Sequence, residues 1–126
     1  MEFIIGGAYQ GKLDHAKKKY GLSDDDIFIC TEESGEIDFS ARCICNIEAY
    51  TLWCIRRGTD AGTIFREHRE EWADSILICR DIFCGVVPVE AELRAWRELT
   101  GRLCAFLSFE AADVYRIFCG LEQRLK

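Results

Sequence analysis

Five short runs rich in apolar and β-branched residues recur along the chain, at 2–5, 26–30, 42–47, 75–79 and 114–119. Most are apolar at successive positions, where a strand with one wet face would alternate. Near-continuous runs of this kind are what strands covered on both faces require. Helical stretches at 12–20, 49–57, 61–72 and 89–109 separate several of them. The alternation predicts an α/β fold: a mainly parallel sheet of about five strands in the middle of three layers, flanked by helices. The clearest helix follows Pro88, a residue suited to a first turn, and carries Leu93, Trp96, Leu99, Leu103 and Phe106 at helical spacing.

The 126 residues suit one domain over 1–126, and no linker, repeat or low-complexity segment divides them. Apolar residues make up 49% and charged residues 30%, a globular balance. The formal charge of -6 argues against a nucleic-acid or anionic-membrane binder, because phosphate-rich surfaces attract basic ones. The apolar run Phe3-Ile4-Ile5 is too short for a secretory leader, and no run is long enough to span a bilayer, so a cytoplasmic location is expected. Of the eight cysteines, Cys30, Cys43, Cys45, Cys79 and Cys119 sit in apolar, strand-like runs, which predicts reduced, buried thiols. Only Cys43 with Cys45 and Cys79 with Cys84 are closely spaced, a poor frame for zinc. Asp24-Asp25-Asp26 reads as a solvated turn before the second strand.

Immediately after the first strand, Gly6, Gly7, Ala8, Tyr9, Gln10, Gly11 and Lys12 match GxxxxGK, the phosphate-binding loop pattern, and the first helix begins there. Glycines let successive N–H groups point inward at phosphate oxygens, and the helix N-terminus adds its positive end. Lys12 would reach the terminal phosphates. Leu13 stands where the pattern has a serine or threonine on magnesium, and leucine cannot coordinate a metal. Asp14 does not replace it, since the next residue of a helix points about 100° away. Anion binding and phosphoryl transfer therefore separate: the backbone cradle survives the substitution, while metal positioning suffers.

The C-terminal half, DSILICRDIFCGVVPVEAELRAWRELTGRL followed by AADVYRIFCGLEQRLK, resembles the adenosylcobinamide kinase/adenosylcobinamide-phosphate guanylyltransferase family. That family has a strand ending in VSNEVGxGIVP, a long helix with RxFRDxxGxxNQ, and a close near ADxVYLVVAGxPxxLK. Asp81, Gly85, Val87, Pro88, Arg94, Arg97, Gly101, Asp113, Val114, Tyr115, Gly120, Leu125 and Lys126 fall into that frame. In the middle, NIEAYTLW is similar to the family's VDCLTLW, with Thr51, Leu52 and Trp53 matching and Glu48 at the aspartate position. The resemblance implies a P-loop NTPase-like fold, an ATP or GTP cofactor with weakened Mg2+, a cobinamide-type substrate and self-association into a homo-oligomer. It also implies roles for the loop Gly6 to Leu13 on the nucleotide, for Lys12 and Asp81 in catalysis, and for Glu48 near the metal. The alternative for Glu48 is a plain surface glutamate at a helix start.

Family members place a histidine-arginine motif between their second and third strands, and its histidine carries guanylate. Here IFICTEE is followed only by SGEIDFSA, so the guanylyltransferase half has no counterpart. FREHREEW, with His68, lies after TLW instead of before it and fits a solvated helix face. His15 reads as a partly packed helix residue. Arg80 and Asp81 occupy an asparagine-glutamate pair, Phe83 a glycine, and Cys104-Ala105 an asparagine-glutamine pair. Two readings follow: a nucleotide-dependent kinase acting on a cobinamide hydroxyl, or a shortened relative acting as a binding, regulatory or structural subunit.

Overall fold

The computed structural model describes residues 1–33 and 35–126. Strand β1 (Glu2–Gly6) leads to helix α1 (Lys12–Tyr20), a 3-10 turn over Asp24–Asp26 and strand β2 (Ile27–Ile29). Strand β3 (Cys43–Cys45) is followed by helices α2 (Ile47–Arg57), α3 (Ala61–Glu67) and α4 (Arg69–Trp72). Strand β4 (Ile76–Arg80), helix α5 (Ala91–Glu110) and strands β5 (Asp113–Phe118) and β6 (Leu121–Arg124) complete the chain.

The strands form one sheet in the order β2-β3-β4-β1-β5-β6. All neighbours are parallel except β5 and β6, where Tyr115 faces Arg124 and Phe118 faces Leu121 across a tight turn. Alternate residues of the central strands enter two separate cores. Phe3, Ile44, Leu77, Cys79 and Val114 pack with Tyr50, Phe65, Trp72, Leu103 and Leu107 from the helices after β3 and β4. Ile4, Cys43, Cys45, Ile78 and Ile117 pack instead with Ala16 and Leu13 of α1. The sheet is therefore covered by helices on both faces, which is why β1, β3 and β4 read as unbroken apolar runs.

Several expectations are corrected. The sheet has six strands among the described residues; β6, whose residues are all exposed, carries the polar sequence LEQR and no apolar signal. Strand β2 lies at the sheet edge and leaves Ile29 half exposed instead of buried on both faces. The third strand stops at Cys45 because Asn46 turns left-handed (φ 59°) and Ile47 already opens α2. The helix expected over 61–72 breaks at His68 into α3 and α4. Pro88 lies outside α5, whose N-cap is Glu90. Cys119 is exposed in the β5–β6 turn (φ 51°), while Cys30, Cys43, Cys45, Cys54, Cys79 and Cys104 are buried and free. Burial, with the neighbouring Cys45 adding to it, pushes the Cys43 thiol up to about 12, so it behaves as a hydrophobe rather than a nucleophile. No described helix is long and apolar enough to cross a membrane.

Candidate functional site

Parallel strands deliver their C-terminal ends to one edge of a sheet, and ligands of open α/β sheets bind there, where successive connections leave in opposite directions. Here that place is the end of β1. Its own connection, through α1, runs to β2 on one side, and α5 carries the chain from β4 across to β5 on the other. The loop Gly6 to Lys12 leaves β1 at that point. The end of β3 supplies Asn46 and Glu48, and the end of β4 supplies Arg80 and Asp81.

Gly6 closes β1 in a position only glycine fits, since a Cβ there would stand 2.5 Å from the Ile117 carbonyl oxygen. Its own carbonyl accepts the Asp81 N–H at 3.1 Å, which fixes the start of the loop against β4. Gly7 faces Asp81: a Cβ at Gly7 would lie 3.8 Å from Asp81 Oδ1. Ala8 and Tyr9 form the turn, with Tyr9 left-handed (φ 59°) and its ring fully exposed. Gln10 anchors the far side: its carbonyl accepts the Gly120 N–H at 3.0 Å and its Oε1 accepts the Cys119 N–H at 2.5 Å. Gly11, the N-cap of α1, is left-handed (φ 84°) and brings no side chain to cap the helix, so the donors of the first turn stay open to a ligand.

Lys12 begins α1, half-buried, and its Nζ donates to the Gly7 carbonyl at 2.6 Å, folding the ammonium back into its own loop. Burial lowers its pKa, opposed first by Glu48 and then by Cys45, Asp81 and Cys79. Leu13 packs against the core on the α1 side of the sheet. It also lines a cavity of about 220 Å³ with Tyr9, Lys12, Asp14, Cys45 and Asn46, presenting carbon where the loop pattern has a hydroxyl. Asp14 is exposed.

Glu48 is no surface glutamate. It is buried, and its Oε2 accepts the Arg80 backbone N–H at 3.0 Å. Its backbone carbonyl accepts both the Trp96 indole N–H at 2.8 Å and the Thr51 hydroxyl at 2.9 Å. Asp81 accepts from the Cys84 N–H through its carbonyl, and burial together with the Asp81 charge pushes the Cys84 thiol up.

The donor set does not fit a resident magnesium ion. Leu13 offers no oxygen, one Glu48 oxygen is engaged by an amide, and no three His, Cys, Asp or Glu side chains among the described residues converge to hold a metal. The loop and Lys12 do suit an oxyanion, with a helix start that no side chain caps and a cation in a small, half-enclosed cavity.

The structure brings Gly6 through Leu13, Glu48 and Asp81 to one edge of the sheet and leaves both histidines elsewhere. His68 stacks on Phe39 with ring centroids 4.4 Å apart, and its Nδ1 meets Glu71 Oε2 at 3.2 Å. His15 Nε2 meets Glu122 Oε1 at 3.0 Å on the α1–β6 surface. Sequence reasoning missed Asn46, whose left-handed backbone turns β3 into α2 and which lines the cavity; asparagine's tolerance of that conformation was the available signal. It also missed the clasp of Gln10 on residues 119 and 120, for which a pairing across the whole chain leaves no local signal. Compared with known proteins, the sequence matches no family model and no curated protein.

Proposed function

We propose that the chain is a P-loop protein that holds the phosphates of ATP or GTP on Gly6 to Leu13, related to the adenosylcobinamide kinases and lacking their metal-dependent transfer chemistry. The observation that carries this reading is the position of Lys12. It is a half-buried ammonium at the first residue of α1, inside a glycine loop at the C-terminal edge of the sheet, with the carboxylates of Glu48 and Asp81 near it. Among the described residues Lys12 bonds a loop carbonyl, a partner that a phosphate oxygen replaces with a stronger, charge-assisted one. The strand order, with β1 between β4 and β5, supports the same fold reading. Against transfer stands Leu13, which gives carbon to the place where phosphoryl-transfer loops hold magnesium. The chain then acts as a nucleotide-binding or regulatory subunit.

The test is a titration of the purified protein with ATP and GTP, with and without magnesium, beside Lys12→Ala. Binding that is lost in Lys12→Ala and insensitive to magnesium is expected; binding indifferent to Lys12 sinks the loop assignment. Incubation with cobinamide and nucleotide is expected to give no phosphorylated product from the native protein, and some from Leu13→Ser. Turnover by the native protein would reject the non-catalytic reading.

A further inference from the structure

A second and larger cavity, of about 500 Å³, opens between α5 and the loop that follows β4, within the roughly 300–1,000 Å³ usual for small-molecule sites. Its walls are Phe83 and Val87 from the loop and Arg94, Arg97, Gly101 and Ala105 from one side of α5. Arg102 and Glu98 also reach it, but they neutralise each other, with Arg102 Nη2 2.5 Å from Glu98 Oε1. Arg94 and Arg97 have no such partner: among the described residues neither pairs with a carboxylate.

Both are instead oriented by backbone carbonyls. Arg94 Nη1 donates to Val89 and Pro88, and Arg97 Nη2 donates to Gly85 at 3.1 Å. Among the described residues Arg97 Nη1 is buried with no acceptor. A buried donor left open on a charged group is costly, and a bound ligand, water or ion that accepts from it is one way in which that cost is met. Two uncompensated guanidinium groups beside one apolar cavity are notable in a chain of net charge -6.

We propose that this cavity binds a small organic anion, a phosphate or carboxylate carried on an apolar body. The guanidinium forks of Arg94 and Arg97 take the charged oxygens, for which their planar geometry is matched, and Arg97 Nη1 gains its acceptor as the head group settles. Phe83, Val87 and the Gly101–Ala105 strip receive the apolar body. Gly101 keeps the space open, because a Cβ there already meets the Phe83 ring at 3.8 Å and a longer side chain would extend across the cavity. The proposal uses no residue of the Gly6–Leu13 loop and stands apart from the nucleotide reading.

The experiment is a backbone-amide NMR titration with phenyl phosphate, with inorganic phosphate and benzyl alcohol as controls. Saturable shifts are expected at Arg97, Gly101 and Ala105, at phenyl phosphate concentrations about tenfold or more below those of either control, the factor that one charged hydrogen bond supplies against benzyl alcohol and burial of the ring supplies against inorganic phosphate. Arg97→Met and Arg94→Met should each weaken binding about tenfold, and Gly101→Leu should block it, with the amide spectra of all three reporting that the fold is kept. Lys12→Ala should leave these shifts unchanged. Equal binding of benzyl alcohol, native affinity in both arginine variants, or shifts confined to residues 6–13 would overturn the proposal.

Discussion

Glu48 Oε2 accepts the backbone N–H of Arg80 at 3.0 Å, tying the first turn of α2 to the end of β4 one residue before Asp81. The carboxylate is buried, so its removal strands an amide away from water. Glu48→Ala is expected to lower unfolding stability by about 1–3 kcal/mol, whereas Glu48→Gln keeps an acceptor oxygen and costs less. Urea denaturation of the two variants checks this. Equal losses in both would show that the charge matters and the anchor does not.

The two glycines that open the loop are expected to behave differently. Alanine at Gly6 drives a methyl group into the Ile117 carbonyl, a backbone atom that cannot swing aside, and should cost about 1–3 kcal/mol. Alanine at Gly7 meets Gln10 Cγ at 3.6 Å, Asp81 Oδ1 at 3.8 Å and Gln10 Nε2 at 4.0 Å, ordinary contacts. Gly7→Ala should therefore change stability by no more than about 0.5 kcal/mol while weakening nucleotide binding, because the methyl group stands between the loop and Asp81. Thermal unfolding and nucleotide titration on the same samples separate the two effects; a Gly7→Ala protein that binds like the native one would remove Gly7 from the cradle.

The central strands and the start of α1 were legible because burial on both faces leaves unbroken apolar runs, and because the glycine loop ending in Gly11 and Lys12 marks where the first helix begins. Strand β6 was not, since an edge strand of exposed Leu, Glu, Gln and Arg is specified by its turn and by pairing with β5 rather than by its own hydrophobicity. The break at His68 was also hidden: the ring stacks on Phe39, a contact across 29 positions that overrides the helical periodicity on either side. In the site, the loop residues could be named from their order alone. The burial of Glu48 could not, because it depends on Trp96 and Thr51 closing over its backbone from α5 and α2.

Thr51 and Thr100 form the polar seam between α2 and α5, with their hydroxyl oxygens 2.6 Å apart and both residues fully buried. Thr51 Oγ1 also accepts the Trp96 indole N–H at 3.0 Å, but that N–H keeps the Glu48 carbonyl at 2.8 Å, so loss of Thr51 falls chiefly on the Thr100 hydroxyl. Thr51→Val is expected to cost about 1–3 kcal/mol. Adding Thr100→Val should cost little further, since the orphaned hydroxyl is then removed as well. A double-mutant cycle by chemical denaturation should thus show coupling above about 0.5 kcal/mol, and strict additivity would dissolve the seam as a unit.

Lys12 gives the candidate site a pH signature whose sign follows from its surroundings. Burial holds the folded-state pKa below the usual lysine value of 10.5, against the opposing pull of Glu48, Cys45, Asp81 and Cys79. Between the lowered value and 10.5 the unfolded chain binds more protons than the folded one, so the Lys12 contribution makes stability rise with pH across that window. Below the window both states hold the proton and the burial penalty stands in full. A bound phosphate favours the ammonium and moves the pKa back up, so binding in the alkaline window takes up protons, and affinity falls as pH rises through the lowered value. Calorimetric titration with ATP in buffers of different ionisation enthalpy measures the uptake. It should vanish in Lys12→Met; uptake of the same size in that variant would assign the proton to another group and leave Lys12 outside the phosphate site.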